Sequence, residues 1–157
     1  MPPGPVPARE AGADAERRWL GHGVALRPSS PDGIGHDIVF TESTGGRDLA
    51  RVEGGENLAQ DLAVALLTAP GTDPFHLRFG FDGLQVLTQG LTPPMALEML
   101  RLSVLRTVSV DTRVAEVLDL TLTETVAGSR RWEVNVVLRT VLGDVLRSTI
   151  GEVAADG

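Results

Sequence analysis

The chain has 157 residues, 42% apolar and 22% charged, with 14 basic against 21 acidic side chains for a net charge of −7 and no cysteine. That length and balance describe one soluble domain able to bury its own core. The acidic surface argues against nucleic acid or an anionic membrane as partner, and the missing thiols remove disulfides, thiolate chemistry and zinc ribbons.

Four of the ten prolines fall within residues 1–15, so residues 1–18 read as a flexible Pro-rich extension and 19–157 as the folded domain. The start lacks the basic and apolar regions of a signal peptide. The longest purely apolar run is Leu62 to Leu67, too short for a bilayer span, and the expected location is cytoplasmic. From Trp19 to Leu26 the sequence suggests an irregular arm that plants Trp19 and Leu26 on the core. Pro28 to Gly35 is turn material, Asp37–Phe40 a short strand, and Gly45-Gly46 a break before Asp48–Val52.

The first clear helix lies between Gly54-Gly55 and Pro70-Gly71, over residues 56–68. Leu58, Leu62, Ala65 and Leu66 share one face, whereas Asn57, Gln60 and Asp61 lie outside it. Glu56 sits in the first turn, where a carboxylate suits the positive helix end. Pro70 stops the helix. A second helix starts at Thr92, an N-cap followed by Pro93-Pro94, and runs to about Val108. It carries one stripe of Leu97, Leu100, Val104 and Val108 and another of Met95, Met99 and Leu102. The second stripe is expected to lie in the core, with an exposed patch for an adaptor's partner as the alternative.

The last third alternates as strands. Leu118, Leu120 and Leu122 form one, and Trp132, Val134, Val136 and Leu138 another, with a turn at Gly128-Ser129 between them. Gly143-Asp144 reads as a two-residue hairpin turn, and Val145 to Val153 as the closing strand. The fold class is therefore α+β: a three- to four-stranded antiparallel sheet packed against two main helices.

No phosphate loop, nucleophile elbow or dinucleotide fingerprint occurs. His22, His36 and His76 are scattered and lack a ligand set for a metal. No cofactor is expected. Glu53, Glu56, Asp61, Asp73 and Asp82 cluster in sequence, and a hydrolase would need two of them across a cleft.

Arg51-Val-Glu-Gly-Gly-Glu-Asn-Leu-Ala-Gln-Asp-Leu62, Leu66-Leu-Thr-Ala-Pro-Gly71 and Phe79-Gly80 together resemble the baseplate wedge and sheath-initiator family of contractile phage tails, type VI secretion systems and extracellular contractile injection systems. The similarity covers residues 19 to 142. The family's Gly-x-x-Asn-Leu-x-Gln opening falls on Gly54 or Gly55, Asn57, Leu58 and Gln60, and its aromatic-Gly pair on Phe79 and Gly80. Two places depart from it. Gly71-Thr72-Asp73 stands where the family has Gly-Glu-Arg, and Asp111-Thr112-Arg113 stands where it has Glu-Pro-Arg.

The resemblance implies a non-catalytic structural part, six copies per baseplate, that joins wedge proteins and gives the first sheath ring something to polymerise on. The contact with neighbouring wedge proteins transfers to Asp111 and Arg113. From the residues alone, Asp111 could equally cap a loop and Arg113 begin a strand. Sheath initiation proceeds by strand addition, for which Val145–Val153 is the edge expected, with Arg147 and Glu152 deterring other strands. An ordinary protected edge would have the same sequence. Some family members are labelled tail lysozymes, so a peptidoglycan-degrading enzyme with paired carboxylates is the alternative. Arg147, Gln60, Phe79 and Gly80 complete the partner-binding set with Asp111 and Arg113.

Overall fold

A computed structural model describes residues 12–29, 35–77, 79–83, 85, 90–126, 129 and 131–154. Helix α1 spans Ala13–Leu20, so regular structure begins inside the stretch expected to be extension. The arm expected from Trp19 is thus the end of a helix. Its phase buries Leu20 in the core and leaves Trp19 half-buried, and Leu26, six residues beyond the helix, is half-buried too.

Six short strands follow: β1 (His22–Val24), β2 (Leu26–Pro28), β3 (His36–Ile38), β4 (Phe40–Ser43), β5 (Gly46–Leu49) and β6 (Arg51–Glu53). They pair antiparallel as β1 with β6, β2 with β3 and β4 with β5. The three ribbons meet at a closed triangle of backbone bonds: Ala25 N–H to Ala50 O, Ala50 N–H to Val39 O and Val39 N–H to Ala25 O, each 2.9 Å. The strand expected over Asp37–Phe40 is therefore split at Val39, whose backbone belongs to the junction.

Helix α2 (Gly54–Leu67) follows β6 directly. It can start so abruptly because Gly54 takes φ of +64°, a conformation that other residues rarely adopt. Thr68 leaves helical geometry before Pro70, as expected. Helix α3 (Pro93–Ser109) begins after Thr92 with Pro93-Pro94 in its first turn, matching the reading of that segment.

The main sheet is three-stranded, in the order β7 (Val114–Glu124), β8 (Arg131–Thr140), β9 (Val145–Ala154), antiparallel throughout. Its inner face meets α2 and α3 in one core. Leu58, Leu62 and Leu66 come from α2, Leu100, Val104 and Val108 from α3, and Leu120, Val134, Val136, Leu138 and Ile150 from the sheet; Leu20 and Phe81 complete it. The α+β class is thus observed, as are the α2 stripe and the Leu100, Val104 and Val108 part of the first α3 stripe, whose Leu97 is half-buried outside the core cluster.

Four details differ from expectation. Met95, Met99 and Leu102 are 57%, 42% and 54% exposed, because Leu100, Val104 and Val108 already turn the other face of α3 to the sheet. Leu118 is exposed as well: β7 carries bulges between Val114 and Glu116 and between Val117 and Asp119, which shift the inward phase from Leu120 to Val117. The β8–β9 connection is four residues, Val141 to Asp144, since Val141 and Leu142 pack against the core instead of extending the ladder. Asn57, read as outside the apolar face, is only 2% exposed. The Gly128 half of the expected turn lies outside the described residues, as do residues 1–11 of the extension. Among the described residues no helix is long and apolar enough to cross a membrane.

Candidate functional site

Among the described residues, the loop between α3 and β7 holds the densest polar cluster. Arg113 Nε and Nη2 donate to the two carboxylate oxygens of Asp111 at 2.9 and 2.7 Å, a forked pair that matches guanidinium and carboxylate geometry. Nη1 donates to Asp61 Oδ2 on α2 at 2.7 Å and to the Leu20 carbonyl that ends α1 at 3.0 Å. Asn57 Nδ2 donates to the same two acceptors, at 3.1 Å each. One guanidinium thus ties α1, α2 and the α3–β7 loop together.

Burial opposes the charge on Asp111, but the side-chain and backbone N–H groups of Arg113 outweigh it and hold the carboxyl below its usual range. Arg113 is pushed upward, chiefly by its bonds to Asp111 and then by Asp61, against the effect of burial. The Asp111 Oδ1 also accepts the Arg113 backbone N–H at 2.9 Å, and β7 starts one residue later. The loop-cap geometry that the residues alone allowed is therefore present. Asp111 and Arg113 nevertheless keep 19% and 22% of their side chains exposed.

Space around the cluster is tight. Gly21 has φ of +84°, and a Cβ there would sit 3.2 Å from Asn57 Nδ2; at Gly23 it would sit 2.9 Å from Asn57 Oδ1. The glycines of the Leu20–Val24 segment let the backbone pass close to Asn57 and Arg113, a requirement that only becomes visible once Asn57 is known to be buried.

The remaining expected residues lie apart from the clamp. Gln60 Oε1 accepts the Leu26 N–H at 2.8 Å and Gln60 Nε2 donates to the Val24 carbonyl at 2.9 Å, so one side chain fastens α2 to the ribbon junction. Phe79 and Gly80 lie where the chain passes the end of α2. Gly80 has φ of +119°, and a Cβ would meet the Thr68 carbonyl at 2.7 Å. The next N–H, on Phe81, donates to that carbonyl at 2.8 Å and sets the Phe81 ring in the core. Arg147 is exposed on β9, with no ion-pair partner among the described residues.

The hydrogen-bond phase of β9 follows from its first pairs. Arg139 faces Val145, while Thr140 N–H donates to Asp144 O at 2.9 Å, so Arg139–Val145 is a pair that does not exchange bonds. Alternation then turns the N–H and C=O of Val145, Arg147 and Thr149 away from β8. Of these six groups, only the Thr149 carbonyl has a partner among the described residues, the adjacent Ser148 hydroxyl at 3.4 Å. An open groove borders this edge. It is lined by Thr149, by Glu56, Ala59, Gln60, Ala63 and Val64 of α2, and by Leu26, Pro28 and His36 of the β2–β3 ribbon.

A scan against protein-family models finds no match to this chain, and a search of curated proteins finds none either. Clamp and edge therefore have to be interpreted by their own geometry.

The carboxylates considered for hydrolysis have in-chain partners or lie in the open. Glu53 meets Arg17 at 3.4 Å, Asp61 meets Arg113, and Glu56 is exposed. Asp73 accepts the Phe75 N–H at 2.8 Å and lies 3.2 Å from His76 Nδ1. Asp82 accepts from the Ser103 hydroxyl and from Arg106, the latter at 3.0 Å. Among the described residues no group of three or more His, Asp or Glu side chains is placed to hold a metal ion.

Proposed function

We propose that this chain is a structural baseplate component of a contractile injection system, which joins wedge proteins and starts sheath polymerisation by accepting a sheath strand on β9. The observation that carries the proposal is the row of outward backbone groups at Val145, Arg147 and Thr149, repeating every 7 Å or so along the strand. An extended segment pairing there would lie about 4.8 Å beyond β9, over the groove that Ala59, Ala63 and Val64 of α2 help to line. Its inward side chains would be small and apolar, and an acidic residue on its outer face would meet Arg147. The sequence resemblance supports the reading at Gln60, which lines the groove and fastens α2 to Val24 and Leu26 beside it.

In this reading the Arg113 clamp fixes how the sheet sits on α1 and α2, and its exposed fifth is where a wedge neighbour touches Asp111 and Arg113. The part needs no cofactor and works only when held between neighbours. Sheath, tube and spike genes are expected beside its own gene. Cells deleted for the gene should assemble tubes without ordered sheath. Sheaths of normal length in the deletion strain, or clearing of peptidoglycan by the purified protein, would contradict the proposal.

A further inference from the structure

A three-stranded sheet has two outer strands, and strand addition needs a reason to use one of them. On β7 the same phase analysis applies. Thr125 N–H donates to Arg131 O at 3.0 Å and Glu124 faces Trp132, so alternate residues back along the strand, Leu122 and Leu120, turn their backbone groups away from β8. One of those outward groups is taken: Arg101 Nε, reaching down from α3, donates to the Leu120 carbonyl at 3.3 Å. The two bulges of β7 lie just before this point and bend the N-terminal half of the edge out of a straight ladder. β9 has a register shift too, but it lies beyond Thr149, between Thr149 and Gly151, and no side chain from another element donates to Val145, Arg147 or Thr149 among the described residues.

We propose that Arg101 is a specificity-determining plug that closes the β7 edge and leaves β9 as the edge open to a foreign strand. An incoming ribbon laid along β7 would have to displace the guanidinium from the Leu120 carbonyl and crowd its long side chain. Along β9 it would have no side-chain donor from another element to displace among the described residues. The inference rests on the strand-addition reading for its biological meaning, but the plug itself can be tested on the isolated full-length protein.

The probe is an end-capped decapeptide alternating Val and Thr, neutral and able to pair with any open edge. Amide exchange is followed by NMR on the wild type, Arg101→Ala and Arg101→Lys. With the wild type, the peptide is expected to slow exchange at Arg147 and Thr149 by about ten-fold and to leave Leu122 unchanged. With Arg101→Ala, Leu122 should gain similar protection, and Arg101→Lys, which keeps a donor for Leu120, should restore the wild-type pattern. Among the described residues Arg101 makes a single hydrogen bond, from an exposed position, so an unshifted melting curve serves as the control for folding. Equal Leu122 protection in wild type and Arg101→Ala, or none in Arg101→Ala while β9 responds, overturns the plug. Protection of Leu122 in Arg101→Ala without any at β9 would leave the plug standing and remove the β9 docking on which the functional reading rests.

Discussion

At the scale of single residues, the Arg113 guanidinium makes four hydrogen bonds among the described residues, to Asp111 twice, Asp61 and Leu20. Replacing it by Ala removes both side-chain donors to the half-buried Asp111 carboxylate, which keeps only the backbone N–H of residue 113, and leaves the Leu20 carbonyl and Asp61 Oδ2 to Asn57 Nδ2 alone. The expected cost is about 2–3 kcal/mol in urea unfolding, below the figure for a fully buried pair because water reaches the site. Arg113→Lys should recover little of this, since an ammonium cannot fork across Asp111. The same pair dictates a pH dependence. Asp111 is depressed in the folded state from a reference of 3.8, so its contribution is present above that value and lost as pH falls through the lower folded one. The stability gap between wild type and Asp111→Asn should therefore be full at pH 7 and close below about pH 4. A gap that persisted unchanged at low pH would show that the charge on Asp111 is not what the clamp uses. Gly80→Ala tests the passage beyond α2: strain at φ of +119° and contact with the Thr68 carbonyl should cost about 2 kcal/mol.

Among elements, α2 and α3 were legible because their apolar residues repeat with the helical period and their ends carry glycine and proline. The ribbons were not, because strands of three or four residues show too little alternation to register. They are held by the Ala25–Val39–Ala50 triangle and by Gln60, contacts between positions far apart in the chain. Gln60→Leu should therefore cost about 1–2 kcal/mol and raise amide exchange at Leu26 more than in the sheet. The second stripe of α3 was misread for a related reason. Periodicity marks Met95, Met99 and Leu102 as apolar, but burial depends on whether anything packs there, and α3 has only one covered side among the described residues. Met99→Gln and Leu102→Gln should shift stability by no more than about 0.5 kcal/mol. The bulges in β7 were likewise invisible, since the alternation of Leu118, Leu120 and Leu122 gives no hint that the strand changes phase at Leu118.

For the whole molecule, the α+β class and the order of the three long strands follow from local patterns, whereas the clamp does not. Asp61 and Arg113 are 52 positions apart and Leu20 and Arg113 are 93 apart, separations that a single sequence does not connect. Only the family resemblance paired Asp111 with Arg113, for a contact outside the chain, whereas the geometry joins them inside it to Asn57, Asp61 and Leu20. The sheet's two outer strands were visible from their order, but the inequality between them depends on one arginine from α3 and on the hydrogen-bond phase of each strand. The most direct test of the account is amide exchange at Val145, Arg147 and Thr149, measured in the free protein and again inside assembled particles. The account predicts rapid exchange at all three when free and strong protection in the particle, with the outward Leu122 amide of β7 unchanged. Protection that appears on β7 instead, or none on β9, would contradict it.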